Sequence, residues 1–248
     1  MAGARGIVWR VTDGVARVIL NRPAQGNRID QATAQALCDL FREWETDPGI
    51  SLVVVGARGR AFCLGVEDGG PWEERYDWVA ALGQLTRPVV VLLQGPAIAE
   101  GCELALAGDI RLASPRARLA LPQVPEGRLP RHGATQRLPR LIGRTRALDL
   151  LLTGRSVGAR EAQGMGLVTR VIPAVTGPAA AGVIRTLATK APLALRYAKE
   201  AVLRGLDLPL EQGLRLEHDL YVLLQTTRDR AEGVRAFLEK RRPRFRGE

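Results

Sequence analysis

A chain of 248 residues with 46% hydrophobic and 25% charged residues can bury one sizeable core. No apolar run reaches the length of about 18 residues that a membrane-spanning helix requires, and the N-terminal stretch lacks the apolar segment of a signal peptide. We therefore expect a soluble, cytoplasmic protein that does not bind membranes. The three cysteines show no C-x-x-C spacing and only two histidines are present, so the sequence supports neither a disulfide framework nor a metal site.

The net charge of +10 comes almost entirely from arginine, because Lys190, Lys199 and Lys240 are the only lysines. The arginines are scattered through predicted helices rather than gathered in one block, so solvated helix faces account for most of them. A basic surface also attracts polyanionic ligands, which include RNA. Aromatic residues make up only 4% of the chain and are not interleaved with the arginines, and this composition argues against nucleic-acid binding.

The first elements are predicted to be a hairpin, a helix and a buried strand. Residues 7–11 and 15–20 alternate and flank Asp13-Gly14, which predicts two antiparallel strands joined by a two-residue turn. Asp30 is a suitable N-cap for an amphipathic helix that reaches about residue 45. Residues 52–55, L-V-V-V, form an apolar run that is typical of a buried strand.

Residues 89–109 carry the most informative pattern of the chain. The run V-V-V-L-L predicts a buried strand, Gly95-Pro96 a turn, and residues 101–107 a helix that contains Glu103. A helix start of this kind presents free backbone N–H groups and the positive end of the helix dipole, which suits a developing negative charge on oxygen. Glu103 is followed by leucine and alanine, so it either pairs with an arginine or performs acid–base chemistry.

The order of the elements predicts the architecture. Strands at residues 52–55, 89–93 and 109–113, with helices between them, indicate repeated ββα units that form an α/β spiral around one core. Residues 69–85 predict an amphipathic helix, which we expect to cover the helix start within residues 89–109. After residue 143 the pattern is helical at residues 144–152, 159–164, 179–189, 192–204, 209–225 and 228–239, with a short strand at 167–172. The Pro-, Gly- and Thr-containing residues 173–178 form a linker, which separates a core over residues 1–172 from a helical region over residues 179–248.

Four segments resemble, in order and spacing, those of the crotonase superfamily, the enoyl-CoA hydratases and isomerases. They are N-R-P-A-Q-G-N at residues 21–27, G-R-A-F-C-L-G-V-E at 59–67, G-P-A-I-A-E-G-C-E-L-A-L-A-G-D at 95–109, and G-A-T-Q-R-L-P-R-L-I-G at 133–143. The resemblance implies the crotonase (ClpP-like) spiral of repeated ββα units with a C-terminal helical trimerisation region. It also implies a homotrimer, or a hexamer formed by two trimers.

The resemblance further implies chemistry on an acyl-CoA substrate through a thioester enolate. In such a site two backbone amides polarise the thioester carbonyl and a side chain moves a proton. Carried onto this chain, the two amides belong to Val66 and Glu100, and the acid–base residue is Glu103. Coenzyme A enters as part of the substrate, and neither a permanently bound cofactor nor a metal is expected.

Two positions depart from the pattern of the family. Glu100 stands where the family usually has glycine; its amide remains, while its side chain either points to solvent or joins the chemistry. Gln123 stands where the hydratases have a second glutamate, and an amide cannot transfer a proton. Glu126 or Glu100 could replace that carboxylate. His132 is a further candidate because histidine is a side chain suited to acid–base work, although a lone loop histidine is more often structural or solvated.

For coenzyme A the resemblance points to the loop after Asn21, to the backbone that would contact adenine, and to a tail that reaches the cofactor of a neighbouring subunit. These positions are, in chain order, Arg22, Gln25, Arg28, Leu64, Phe237 and Lys240. Arg28 replaces a small residue, and it either contacts a phosphate or lies on the surface.

The predicted function is the hydration or dehydration of a 2-enoyl-CoA, with Glu103 as the acid–base residue. Because Gln123 removes one expected group, we keep an alternative within the same fold: thioester hydrolysis, C–C cleavage or decarboxylation, which do not need two carboxylates. A second alternative is a non-catalytic homologue that binds coenzyme A or RNA. The sequence does not identify the acyl group.

Overall fold

A computed structural model describes residues 2–4, 6–67 and 77–248 of the protein. The strands are β1 (Ala2–Ala4), β2 (Ile7–Thr12), β3 (Val15–Leu20), β4 (Leu52–Ala57), β5 (Val89–Leu93), β6 (Ala97–Ile98), β7 (Ile110–Ala113), β8 (Arg118–Ala120), β9 (Val157–Gly158) and β10 (Arg170–Val171). The helices are α1 (Gln31–Thr46), α2 (Trp78–Gly83), α3 (Glu100–Leu106), α4 (Ala134–Ile142), α5 (Arg144–Thr153), α6 (Ala159–Met165), α7 (Pro178–Ala188), α8 (Pro192–Gly205), α9 (Leu210–Gln225) and α10 (Arg228–Leu238).

The strands form two sheets in the described part of the chain. The larger sheet has the order β1-β2-β3-β4-β5-β7-β10, and the smaller has the order β6-β8-β9. In the larger sheet β1, β2 and β3 pair antiparallel, and every pairing from β3 to β10 is parallel. Parallel strands are usually covered on both faces, and β4 and β5 accordingly consist of almost uninterrupted buried, apolar residues.

Alternate residues of β4 and β5 pack into two different hydrophobic clusters, as the two-residue period of a strand requires. Val53, Val55 and Val91 join the large cluster that includes side chains of α1 to α6. Val54 and Val90 face the other way, into a smaller cluster that α7 covers. The larger sheet is therefore the middle layer between helices, and the side chains of α3 pack into the large cluster.

The local chemistry of the first elements explains why their predicted positions are confirmed. The hairpin between β2 and β3 turns at Asp13 and Gly14, which both have positive φ, 50° and 72°, as a tight two-residue turn needs. The side chain of Asp30 accepts a hydrogen bond from the amide of Thr33 at 2.7 Å and so caps α1.

Other predicted elements differ from the structure in extent. The strand predicted over residues 167–172 pairs only at Arg170–Val171. The short strands β1, β6, β8 and β9 were not predicted, because two or three residues are too few to show an alternating pattern. Of the helix predicted over residues 69–85, residues 68–76 lie outside the described part, and α2 is the part that is seen. Helices α7 to α10 agree with the predicted segments within a few residues.

The division into a core over residues 1–172 and a helical region over residues 179–248 stays a prediction, although the last described strand ends at Val171 and the elements after it are helices. None of the helices in the described part of the chain combines the length and the apolar character that crossing a bilayer would require.

Gly101 offers a test of how closely α3 is packed. A Cβ atom at Gly101 would lie 2.2 Å from the carbonyl oxygen of Cys63, whereas one at Gly164 in α6 would meet nothing within 4 Å. We expect Gly101→Ala to lower the free energy of unfolding by about 1–3 kcal/mol, because backbone must move. The matched Gly164→Ala should raise it by about 0.5–1 kcal/mol. Denaturant titrations measure both, and a Gly101→Ala midpoint at or above that of the parent protein would contradict the close contact.

Candidate active site

Helix α3 begins immediately after an unusual backbone conformation. Ala99 has φ of 50° and ψ of −123°, a region that non-glycine residues rarely adopt and that costs about 1–3 kcal/mol. Its amide donates to the carbonyl of Ala120 at 3.0 Å, and its carbonyl accepts from the amides of Cys102 and Glu103. These hydrogen bonds stabilise the strained backbone of Ala99. The bond to Ala120 places the start of α3 beside the end of β8.

Glu103 is 0% exposed, and its two carboxylate oxygens have different surroundings. Oε1 accepts hydrogen bonds from the amide of His132 at 2.8 Å and from the amide of Ala134 at 3.1 Å. Since Ala134 is the first residue of α4, the carboxylate also lies at the positive end of a helix dipole. Oε2 has no hydrogen-bond partner in the described part of the chain. Backbone amides, rather than the arginine considered from the sequence, therefore hold Glu103, and one oxygen is left for a ligand.

Burial raises the pKa of Glu103 above its ordinary value near 4.5, and the nearby Glu100 carboxylate acts in the same direction. The amides of Ala134 and His132 and the charge of His132 lower the pKa, but by less than burial raises it. A carboxyl group whose pKa moves toward neutrality exchanges protons more readily at physiological pH. Glu103 therefore has the placement and the electrostatics of an acid–base residue.

Gln123 lies in the turn after β8 and is 1% exposed. Its backbone carbonyl accepts from the amides of Glu126 and Arg128, which fixes the turn. Its side-chain Oε1 and Nε2 are both buried without a hydrogen-bond partner among the described residues. Buried polar atoms are nearly always paired, so this amide is suited to donate to and accept from a bound ligand, although it cannot transfer a proton.

The two amides expected to polarise a thioester are those of Val66 and Glu100. The amide of Glu100 is at the first position of α3, among the N–H groups that a helix leaves without an internal acceptor. The amide of Val66 donates to Oε2 of the Glu100 side chain at 3.3 Å. Glu100 is only 5% exposed, so the expectation that its side chain points to solvent is wrong. The side chain instead folds back over Gly65, where a Cβ would lie 2.9 Å from Oε2.

Arg128 connects Glu100 to Glu126. Its Nη1 lies 3.7 Å from Oε1 of Glu100, and its Nη2 contacts Oε2 of Glu126. Glu126 is exposed, and the contact described for its side chain is with Arg128. A catalytic role for Glu126 stays a prediction. Arg128 was not singled out from the sequence, since one more arginine in a basic chain carries no signal.

His132 forms a pair with Asp77 that sequence reasoning missed. Its Nδ1 lies 3.1 Å from Oδ1 of Asp77, its ring packs against Trp78 with centroids 5.5 Å apart, and its Nε2 is buried without a partner in the described part of the chain. Burial raises the pKa of Asp77. The hydrogen bonds from His132 and from the amide of Ala80 together lower the pKa by more than burial raises it, so the net shift is downward. Asp77 therefore orients the imidazole as an ionised carboxylate.

The predicted coenzyme A positions fall into two places. Arg22 braces the first loop: it donates to the carbonyl of Arg28 at 2.8 Å and pairs with Glu67 at 2.7 Å and with Asp30 at 3.3 Å. Arg28 donates to the carbonyl of Val66 at 3.1 Å.

Gln25 in the same loop is exposed. Leu64 packs closely on Gly26: a Cβ atom added at Gly26 would lie 2.5 Å from the Leu64 side chain. Arg22 and Arg28 thus lie beside the segment that contains Leu64 and the Val66 amide. Phe237 in α10 is 82% exposed and Lys240 after it is also exposed.

The raised pKa of Glu103 has a consequence for stability. A carboxyl group whose pKa is higher in the folded than in the unfolded state stabilises the fold below its unfolded pKa, and this contribution is lost as pH rises through the folded pKa. Glu103→Gln has no such proton to lose. Its free energy of unfolding, relative to the parent protein, should therefore increase from pH 4 to pH 8, by about 1.4 kcal/mol per unit of pKa difference.

Denaturant titrations of the parent protein and of Glu103→Gln at a series of pH values measure this difference. A variant that becomes relatively less stable as pH rises would show that the pKa of Glu103 is lowered, contrary to the effect of its burial.

Comparisons with known proteins identify the family of this chain. The family described as Enoyl-CoA hydratase/isomerase matches residues 10–248. A 2,3-dehydroadipyl-CoA hydratase of Escherichia coli strain K12 is 36% identical over 243 residues, which cover 94% of this chain and 95% of that protein. An (E)-benzylidenesuccinyl-CoA hydratase of Thauera aromatica is 35% identical over 253 residues, which cover 97% and 99% of the two chains.

A solved structure supports the same relationship. The crystal structure of an enoyl-CoA hydratase from Bacillus anthracis matches with a TM-score of 0.92 at 34% identity and covers 98% of this chain and 100% of that one. The match extends over the C-terminal helices, so the crotonase fold predicted from the sequence is confirmed. The chain belongs to the enoyl-CoA hydratase/isomerase family, the crotonase family, and it is an enzyme that acts on acyl-CoA thioesters.

Proposed function

We propose that the protein hydrates 2-enoyl-CoA thioesters, and dehydrates 3-hydroxyacyl-CoA in the reverse direction, with Glu103 as an acid–base residue. The observation that supports this most directly is the asymmetric setting of Glu103. One oxygen is held by two backbone amides, and the other is buried without a partner among the described residues. The two relatives in Escherichia coli and Thauera aromatica are named as hydratases of CoA thioesters.

The proposed reaction uses these groups in the following way. The amides of Val66 and Glu100 donate to the thioester oxygen and draw electrons from the double bond, which makes the β-carbon electrophilic. Oε2 of Glu103 takes a proton from water while the water oxygen bonds to the β-carbon, and the electron pair moves onto the thioester as an enolate. The side-chain amide of Gln123 hydrogen bonds to the water or to the acyl group. A second proton then joins the α-carbon and completes the 3-hydroxyacyl-CoA.

Coenzyme A is proposed to lie along the loop that carries the Val66 amide. The basic side chains of Arg22 and Arg28 border this loop, and the net charge of +10 favours a ligand with several phosphates. Gln25 and the backbone at Leu64 are proposed to contact the same ligand. Phe237 and Lys240 are exposed near the C-terminus, and they are assigned to the coenzyme A of a neighbouring subunit.

Glu103→Gln should lower the rate of crotonyl-CoA hydration by roughly 10²- to 10⁴-fold, because it removes the proton acceptor but keeps the shape. Loss of the enoyl-thioester absorbance measures the rate. Glu161→Gln serves as the matched control, since Glu161 forms an exposed ion pair with Arg155. A thiol reagent added in parallel detects free coenzyme A. Release of free coenzyme A without hydration would favour the hydrolase alternative, and unchanged hydration by Glu103→Gln would remove Glu103 from the mechanism.

A homotrimer, or a hexamer of two trimers, is proposed for the assembly, with residues 179–248 as the oligomerisation region. The support is the number of large apolar side chains that α8 to α10 and their connections expose, among them Leu206, Leu210, Phe237 and Leu238. An exposed apolar surface of this kind is typical of an interface.

Light scattering should give a mass about three or six times that of the 26.9 kDa chain. The expected mass reflects burial of these apolar side chains between subunits. A mass of one chain that persists over a hundredfold range of concentration would contradict the proposed assembly.

A further inference from the structure

The carboxylate of Glu100 lies where an oxyanion is expected to bind. Its Oε2 accepts from the amide of Val66 at 3.3 Å, and this amide is one of the two proposed donors to the thioester oxygen. A backbone N–H has one proton to donate, so the thioester oxygen and Oε2 cannot both accept it with good geometry. Binding of a thioester must therefore move the Glu100 side chain while leaving it beside the ligand.

The proposed hydration requires a second group that transfers a proton, and Gln123 cannot provide it. Among the carboxylates near the site, Glu126 is exposed and contacts Arg128. Glu100, by contrast, is buried and is close enough to Glu103 for its charge to act on that residue. Two carboxylates in the first turn of one helix thus share the site.

We propose that Glu100 is the second acid–base residue of the active site and that it transfers the proton at the α-carbon of the acyl group. The inference rests on the proposed hydration of acyl-CoA thioesters. The thioester displaces the carboxylate from the Val66 amide, and the displaced carboxylate faces the carbon next to the carbonyl.

The distances support this step. In a thioester the α-carbon is bonded to the carbonyl carbon, which places it about 2.4 Å from the carbonyl oxygen. A carboxylate that leaves the position of that oxygen therefore needs only a small rotation to contact the α-carbon. Arg128, with Nη1 at 3.7 Å from Oε1 of Glu100, offers a charged partner that can hold the other oxygen while the side chain moves.

The proton and electron balance is simplest in the direction of dehydration. Glu100 takes the α-proton of the 3-hydroxyacyl-CoA, and the C–H electron pair becomes the enolate, held by the two backbone amides. The enolate re-forms the carbonyl and expels the β-hydroxyl, which takes a proton from Glu103 and leaves as water. Hydration is the reverse. Between turnovers a proton passes through solvent from Glu100 to Glu103, or back after hydration.

Two variants test the proposal. Glu100→Gln keeps an acceptor for the Val66 amide but cannot transfer a proton, and Glu100→Gly removes the side chain. We expect each to lower kcat for crotonyl-CoA hydration by roughly 10²- to 10⁴-fold, with a smaller change in KM. Circular dichroism confirms that each variant is folded. If either variant is as fast as the parent protein or faster, the carboxylate only blocks the amide and the proposal is overturned.

A second measurement follows the α-proton directly. Butyryl-CoA has no double bond to hydrate, so exchange of its α-protons in D₂O, observed by NMR, reports proton transfer at that carbon alone. Exchange should be lost in Glu100→Gln. Loss of exchange in Glu126→Gln or His132→Gln, with exchange intact in Glu100→Gln, would assign the step to that other residue and overturn the proposal.

The two measurements separate the inference from the proposed function. If the parent protein exchanges the α-protons through Glu100 but does not hydrate crotonyl-CoA, the proposed hydration fails and the role of Glu100 stands. If hydration depends on Glu103 but neither hydration nor exchange depends on Glu100, the proposed function stands and the role of Glu100 fails.

Discussion

Backbone hydrogen bonds join the segment around Cys63 to residues 96–98, and the geometry of the candidate active site depends on them. The amide of Cys63 donates to the carbonyl of Pro96 at 3.2 Å, and the amide of Ile98 donates to the carbonyl of Cys63 at 2.9 Å. Gly101 then passes so close to the Cys63 carbonyl that only a glycine fits without movement of the backbone. Because these contacts join main chain to main chain, they position the two proposed oxyanion donors independently of side-chain rotamers.

The parts of the site that the sequence predicts are those that a local pattern determines. The apolar run of β5, the turn and the start of α3 follow from residue order alone, and a carboxylate among leucines and alanines at Glu103 predicts either a buried ion pair or acid–base chemistry. The N-cap at Asp30 is equally local. The resemblance in four segments extended these local signals to the whole fold, which the relatives and the Bacillus anthracis structure support.

The parts that the sequence does not predict depend on which way a side chain turns after the chain has folded. The fold-back of Glu100 onto the Val66 amide joins residues 34 positions apart, and the pairing of His132 with Asp77 spans 55 positions. No local periodicity records such contacts, because they are set by the packing of α2, α3 and the loop before α4. The helix dipole stabilises an acid at a helix start whether its side chain is exposed or buried, so only the tertiary contacts decide.

The hydrogen bond between Glu100 and Val66 makes the carboxylate an internal ligand of the site. In the proposed oxyanion hole, a thioester exchanges one acceptor for another on the Val66 amide, so this amide contributes to the affinity only the difference between two hydrogen bonds. In the same scheme the departing product undergoes this exchange in reverse, which speeds its release. An enolate oxygen carries a full negative charge and competes with the carboxylate far better than a neutral carbonyl does. Under the proposed assignment, the Glu100 side chain therefore weakens binding of the neutral thioester and leaves the larger part of the hydrogen-bond energy to the anionic intermediate.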